Sequence, residues 1–155
     1  MNVKPNYIVI PTILIIISIF GQLFSQAGMR WYFTLKLPIF TPHAIVFSLV
    51  WKIIYVMLGA ALLIIWNKFP RTGRFYSIIF TFIINSILNM AWTYFFFYKH
   101  MIGLSIFNAL LLVLSTYVLI LIIWPMSRLT ASLLIPYALW LTFAVYLNIG
   151  VWLLN

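Results

Sequence analysis

Five long apolar stretches, separated by short polar or proline-containing connections, make up almost the whole sequence. They cover about residues 7–24, 43–66, 76–98, 101–124 and 131–154. A helix needs about 20 mostly apolar residues to cross the hydrocarbon of a bilayer. The pattern therefore predicts an all-α integral membrane bundle of five transmembrane helices. No polar stretch is long enough for a separate soluble domain, so we expect a single domain over residues 1–155.

The composition supports the membrane interpretation. Hydrophobic residues make up 66% of the chain and charged residues only 6%, whereas soluble domains carry about 25% charged residues. The segment Ser25–Ala27 resembles a small-residue cleavage site, so a secretory signal is the alternative to a first transmembrane helix. The apolar core before it is longer than the roughly 7–15 residues of a signal peptide, which favours a retained helix.

All charged side chains are basic: nine Lys and Arg stand against no Asp or Glu. They occur one or two at a time between apolar runs, which indicates anionic lipid headgroups as partners and not nucleic acid. The absence of carboxylates excludes paired-carboxylate hydrolysis, Ca²⁺ or Mg²⁺ sites of the usual kind, and Asp/Glu proton relays. With no Cys and only two His, no metal site is expected.

The cations also predict an orientation. Five spans put the two ends of the chain on opposite sides of the membrane. The amino-terminal side would carry Lys4, Lys68, Arg71, Arg74 and Arg128, and the other side Arg30, Lys36 and Lys99. Because positive residues prefer the cytoplasmic side, we expect a multi-pass protein with its amino terminus in the cytoplasm.

The third span carries two amides and two aromatic rings on one face. Asn85, Asn89, Trp92 and Phe96 are spaced i, i+4, i+7 and i+11, which places them in a narrow stripe. A buried amide must find a hydrogen-bond partner. Hydrogen bonding between helices is the favoured interpretation, and the wall of a ligand pocket is the alternative.

In the fifth span, Pro136, Trp140, Ala144, Asn148 and Trp152 recur at every fourth position. A small residue between aromatic positions allows close approach of another helix or of a flat ligand. Trp152 fits the belt of aromatic residues at a membrane interface. Trp140 lies too deep for that belt, which makes it the better candidate for a pocket.

The second span begins below a loop, predicted over Gly28–Pro42, that carries basic and aromatic side chains. Trp51 and Tyr55 share a helix face, and Lys52 lies beside them. A cation about two turns deep with no carboxylate in the chain is costly. Extension of its stem to the headgroups is the favoured interpretation. A cation–π contact or attraction of a ligand carboxylate is the alternative.

These residues resemble the TspO/MBR family, whose members are also called translocator proteins, tryptophan-rich sensory proteins or peripheral benzodiazepine receptors. The resemblance covers nearly the whole chain after the first helix. It rests on Trp31-Tyr32, Leu35-Lys36 with Pro38, Thr41-Pro42, Phe47-x3-Trp51-x3-Tyr55 with Gly59, Asn89-x2-Trp92 with Phe96-Phe97, and Leu134-Ile135-Pro136-Tyr137-x2-Trp140-x2-Phe143-Ala144-x-Tyr146-Leu147-Asn148-x3-Trp152-x2-Asn155.

The resemblance implies a bundle of five helices, usually dimeric, with a ligand cavity beneath the first long loop. It implies porphyrin or haem-type tetrapyrroles and benzodiazepine-type drugs as ligands, no required cofactor, a homodimer, and here a bacterial cell membrane. Cholesterol, a ligand of animal members, is a poor expectation, because no basic residue follows the aromatic residues at the end of the fifth span. The loop departs from the family pattern at Lys36-Leu37-Pro38 and Pro42-His43, which makes the lid less rigid.

Carried over by position, the resemblance and the aromatic pattern give a predicted ligand site. Its members are Tyr32, Pro42, Trp51, Tyr55, Asn89, Trp92, Trp140, Phe143 and Ala144. Arg30, Lys36 and His43 at the mouth would attract the carboxylates of a porphyrin. A tetrapyrrole receptor or sensor is the favoured function. The alternatives are a porphyrin-degrading enzyme that uses light, oxygen and the Trp51/Trp140 pair as its catalytic residues, and a porphyrin transporter.

Overall fold

The computed structural model describes residues 4–155. Its helices are α1 (Asn6–Tyr32), α2 (Ala44–Lys68), α3 (Gly73–Thr93), α4 (Ile102–Ile123), α5 (Arg128–Ser132) and α6 (Ile135–Leu154), and a π-helical segment (Tyr94–Tyr98) continues α3. Five helical segments are long and apolar enough to cross a membrane: α1, α2, α3 with the π-helical segment, α4, and α5 with α6. The predicted all-α bundle of five transmembrane helices is confirmed.

The first helix is longer than predicted. The sequence pattern ended the first span near residue 24 and began a loop at Gly28, but α1 continues to Tyr32. Gly28 is buried, and a Cβ atom there would overlap the backbone of Phe97. This close approach, together with a ring contact between Tyr32 and Phe97 (centroids 5.6 Å apart), keeps the last turns of α1 helical. The first loop is therefore residues 33–43, which we call the lid loop.

The last span also differs from its prediction as one helix over residues 131–154. Helical structure begins earlier, at Arg128, because the Ser127 hydroxyl accepts a hydrogen bond from the Thr130 N–H at 3.2 Å and caps α5. This helical segment then breaks before Ile135, where α6 starts. Pro136 lies in the first turn of α6, where its missing N–H needs no partner within the helix, so it is compatible with a break at this point.

The π-helical segment lies where α3 meets the lid-loop end of the bundle. Lys99 N–H donates to the Tyr94 carbonyl at 2.9 Å, the i to i−5 bond that defines the wider turn. His100 follows with a φ of 57° and stacks on Trp31, with ring centroids 4.1 Å apart. Such wide turns are rare and occur frequently at functional sites. Here the wide turn lets Phe96 and Phe97 both face the interior beside α1.

The dry core occupies the half of the bundle away from the lid loop. Helix α4 packs most closely on α3 and on α6, whereas α2 meets α6 mainly through aromatic side chains, such as Phe47 against Trp140. The buried residues of this core are Ile54, Leu58, Ile65, Phe75, Ile78, Phe82, Leu112, Leu119, Ile123, Ala131, Leu134, Tyr137 and Leu141. At the lid-loop end, the helices leave an open space between them.

Candidate functional site

That open space is a cavity of about 760 Å³ beneath the lid loop. Its volume falls within the roughly 300–1,000 Å³ of small-molecule sites. Helices α1, α2, α3 and α6, the π-helical segment and the lid loop all contribute to it. Of the predicted site residues, the structure brings together Tyr32, Pro42, His43, Trp51, Tyr55, Asn89, Trp92 and Ala144.

One side of the cavity is aromatic. Trp51 and Tyr55 come from successive turns of α2, with ring centroids 5.9 Å apart. Trp92 stacks on Phe96, with centroids 5.9 Å apart and an interplanar angle of 14°, and Phe97 lies edge-on to Phe96 at 4.8 Å. All five rings line the cavity. Large, flat and apolar surfaces of this kind favour a flat, largely apolar ligand.

A chain of hydrogen bonds leads from this wall into the dry core. The Tyr55 hydroxyl donates to Asn89 Oδ1 at 3.0 Å, and Asn89 Nδ2 donates to the Tyr137 hydroxyl at 3.4 Å. The Tyr137 hydroxyl in turn donates to Asn85 Oδ1 at 3.0 Å, and Asn85 Nδ2 donates to Thr116 Oγ1 at 2.9 Å. Asn85 therefore joins helices, as the favoured interpretation of the α3 stripe predicted. Asn89 does this and also lines the cavity.

The face of α6 that lines the cavity differs from the face that carries the predicted stripe. The residues that line it are Ala144, Leu147, Asn148 and Val151. Positions four apart on a helix of 3.6 residues per turn drift by about 40° at each step, so the two ends of a long stripe point away from its middle. Trp152, at the end of that stripe, is 57% exposed. Ala144 and Asn148 are the members of the stripe that reach the cavity.

Trp140 and Phe143 are not among the residues, within 4–155, that line the cavity. Trp140 instead contacts Phe47 edge-on, with centroids 5.0 Å apart, and lies 5.8 Å from the ring of Phe143. Phe47 does line the cavity. The structure therefore places Trp51 at the wall and Trp140 behind Phe47.

The lid loop is fastened to the end of α6. Lys36 N–H donates to Asn155 Oδ1 at 2.9 Å, and Asn155 Nδ2 donates to the Lys36 carbonyl at 3.0 Å. A Cβ atom on Gly150 would lie 2.5 Å from Pro38 Cγ, so the ring of Pro38 rests directly on the glycine. We call these contacts the loop clamp. Sequence reasoning missed Asn155 and Gly150 as site residues; Asn155 stands in the last block of the family pattern, whereas Gly150 falls at a position that the pattern leaves unspecified.

The basic residues are arranged differently from the prediction. His43 lines the cavity, but Arg30 and Lys36 are exposed and lie outside its lining in the described chain. Lys52, for which extension to the headgroups was the favoured interpretation, does line the cavity. Sequence reasoning also missed the polar contribution of α1, which is Ser18, Gln22 and Ser25. Their i, i+4, i+7 spacing in an otherwise apolar helix was the signal that could have shown it.

Comparisons with known proteins agree with this architecture. The profile of the TspO/MBR family matches residues 8–153. The chain is 33% identical to the tryptophan-rich protein TspO of Bacillus cereus, over 81% of this chain and 80% of that protein. It is 35% identical to the uncharacterized membrane protein YtaB of Bacillus subtilis, over 81% and 84%, and 32% identical to the human translocator protein, over 81% and 75%. Family profile, relatives and fold together show that this membrane protein belongs to the TspO/MBR family.

Proposed function

We propose that this protein is a membrane receptor or sensor that binds porphyrin-type tetrapyrroles in the cavity beneath the lid loop. The observation that carries the proposal is the cavity itself, about 760 Å³ in volume and walled by Trp51, Tyr55, Trp92, Phe96 and Phe97. A porphyrin is flat and apolar across its faces, and aromatic rings offset or edge-on to it would pack against them. Neutral aromatic drugs of the benzodiazepine type would use the same wall.

The mouth of the cavity suits the anionic edge of a porphyrin. His43 lines the cavity, and the lid loop that carries it also bears Lys36, while Arg30 lies in the last turn of α1. Exposed cations near a site act mainly on the rate of association, because they steer a charged ligand through solvent. We therefore expect neutralisation of Arg30 and Lys36 to slow porphyrin association more than that of a neutral aromatic ligand.

Light-dependent degradation of the bound porphyrin is the second candidate function, and one observation bears on it. Trp51 lines the cavity, while Trp140 contacts it only through Phe47. A redox role would therefore start at Trp51, the ring that can touch the ligand. Illumination of the porphyrin complex in air, with absorbance read over time, tests this: loss of the porphyrin band that slows in Trp51→Phe would support it. An unchanged band would leave binding as the function.

Tryptophan fluorescence of the purified protein, titrated in the dark with protoporphyrin, tests the binding proposal. Wild type should show saturable quenching, and Trp51→Phe should weaken the apparent affinity several-fold because an aromatic contact in the wall is reduced. Trp124→Phe is the matched control, since Trp124 caps the end of α4 outside the cavity lining. Linear quenching that is the same in every variant would mean that porphyrin only partitions into the micelle, and would contradict the proposal.

A further inference from the structure

Lys52 is the cation whose position the family resemblance does not explain. It lies in α2, which begins at Ala44, and it lines the cavity beside Trp51. At about 1.5 Å of rise per residue, it stands about 12 Å below the start of the helix. Its four-carbon stem spans only part of that depth. The ammonium group is therefore held at the level of the cavity and not in the lid loop.

The wall that α1 contributes at this level is polar. Leu14 of α1 contacts Gly59 of α2, where an added Cβ would come within 3.2 Å of it, and the two helices run antiparallel. Gly21 follows Leu14 in α1 by as many residues as Lys52 precedes Gly59 in α2. Because the two helices are antiparallel, Gly21 lies level with Lys52. The polar residues of α1 that line the cavity around this level are Ser18, Gln22 and Ser25. We call them, with Lys52, the donor wall.

The donor wall offers hydrogen-bond donors and no opposing negative charge. An ammonium group, an amide and two hydroxyls face a cavity in a chain that contains no Asp or Glu at all. Within residues 4–155, the side chains of Lys52, Gln22 and Ser18 make no hydrogen bond to another residue, whereas Ser25 Oγ donates to the Gly21 carbonyl at 2.9 Å. Lys52 and Gln22 are exposed at the cavity. A cation at the depth of the hydrocarbon is costly without a partner. The partner must then come from outside the chain.

We infer that the donor wall is an anion site inside the cavity, at which Lys52 binds a carboxylate or phosphate group of an amphiphilic ligand whose apolar part lies on the aromatic wall. The inference rests on the proposed function when the ligand is a tetrapyrrole, since a propionate would then be the anion. A lipid phosphate offers the same chemistry. Lys52, which lines the cavity, and not Arg30 or Lys36, which lie outside its lining, then determines how strongly a bound anionic ligand is preferred over a neutral one.

The test compares protoporphyrin with its dimethyl ester, which has the same ring and no carboxylates. Affinities are measured for wild type, Lys52→Gln, Lys52→Arg and the control Lys99→Gln. Lys99 lies on the same side of the membrane, over the rings of Tyr94 and Tyr98 and outside the cavity lining. Lys52→Gln should weaken binding of the free acid about ten- to a hundredfold and leave the ester unchanged, since a hydrogen bond to a charged group is lost. Lys52→Arg should retain most of the preference.

Two results would overturn the inference. Equal losses for acid and ester would mean that Lys52 acts through the shape of the cavity, and no loss for either, with equal lipid retention in every variant, would mean that it binds no anion. Both results leave saturable binding by wild type intact. If neither ligand bound wild type saturably, the proposed function would fail instead, so the two failures are distinguishable.

A second arm separates the two sources of the anion. Wild type and Lys52→Gln are purified from membranes that contain phosphatidylglycerol, and the lipid retained by each is measured by mass spectrometry. Retention that falls several-fold in Lys52→Gln but not in Lys99→Gln would show a lipid phosphate at the donor wall. Equal retention in all three, together with the loss of acid preference above, would assign the anion site to the carboxylate of the cavity ligand. Equal retention without that loss would contradict the inference.

Discussion

The two halves of the bundle use the same kinds of residue in opposite ways. In the half away from the lid loop, Ile65, Ile78, Leu119 and Ile123 are 0% exposed and fill the space between the helices. In the lid-loop half, large side chains stand around a space of about 760 Å³ and leave it open. The filled half fixes the positions of the helices. The open half can therefore hold a cavity without collapsing.

The border between the halves is the hydrogen-bond chain from Tyr55 through Asn89 and Tyr137 to Asn85. Its members are half-buried or buried, and each shares a hydrogen bond with a residue of another helix. Polar groups in hydrocarbon must be paired, so these bonds set which faces of α2, α3 and α6 meet. Stability should therefore depend on the filled half and ligand affinity on the open half.

Removal of a side chain from the filled half should have the largest effect on stability. Leu119→Ala should lower the free energy of unfolding by about 2–5 kcal/mol, because a fully buried side chain is replaced by a cavity. Unfolding in mixed detergent, followed by circular dichroism, measures this. Porphyrin affinity of the folded fraction should stay within about twofold of wild type. A large loss of affinity would show that the two halves are not separable in this way.

Gly28 should be the position in the open half with the greatest effect on stability. Gly28→Ala brings a Cβ atom onto the backbone of Phe97 and should cost about 1–3 kcal/mol. It should also weaken porphyrin binding, because α1 carries the three uncharged residues of the donor wall and Phe97 lines the cavity.

Gly103→Ala in α4 is the matched control for Gly28→Ala, since a Cβ there meets nothing within 4 Å. It should leave stability unchanged or raise it by up to about 1 kcal/mol, because alanine favours a helix more than glycine does. Equal thermal shifts for the two variants would contradict the role of close approach at Gly28.

A change at the border should have an intermediate effect. Asn85→Ala removes the acceptor of the Tyr137 hydroxyl and a donor to the Thr116 hydroxyl, and should cost about 1–3 kcal/mol. Asn67→Ala is the control, because Asn67 bonds only to the carbonyl of Leu63 in its own helix. Thermal unfolding of both variants measures the difference. Equal shifts would mean that the border chain adds nothing beyond a local hydrogen bond.

The loop clamp should give the smallest change in stability but a clear change in ligand kinetics. Asn155→Ala removes two exposed hydrogen bonds to Lys36 and should speed porphyrin dissociation about two- to tenfold, because the lid loop opens more easily. Stopped-flow fluorescence measures the rate. Leu154→Ala, an adjacent exposed position, should dissociate at the wild-type rate. Equal rates in wild type and Asn155→Ala would show that the clamp does not hold the lid.

The sequence predicted the helices well, because five apolar runs of the right length admit few other structures in a bilayer. It missed the helical end of α1, since only the contact of Gly28 with Phe97 explains why the chain stays helical there. It also missed the break before α6, although Pro136 was visible. A proline does not always break a helix: α1 continues past Pro11. Pro136 alone therefore did not predict the break.

The aromatic wall was predicted more fully than the polar one. The helical spacing of its members places them on common helix faces, which could be predicted from the sequence. These members are Trp51, Tyr55, Asn89 and Trp92. The donor wall is harder to predict, because Ser and Gln in an apolar helix usually mean hydrogen bonds between helices. The interpretation of Lys52 rested on its depth in the second span. The structure adds the polar face of α1, which lies level with Lys52.

The loop clamp also orders events during synthesis. Lys36 bonds to Asn155 across 119 residues of chain, so the lid loop leaves the ribosome long before its anchor exists. The parts of the cavity that α1, α2 and α3 line can form while α6 is still missing, but the wall from α6 is then absent and the lid cannot be fastened. A nascent chain would thus hold an open site, and ligand retention would begin only with the last turn of α6. Slow release of a bound porphyrin would then require α6 as well as the lid loop.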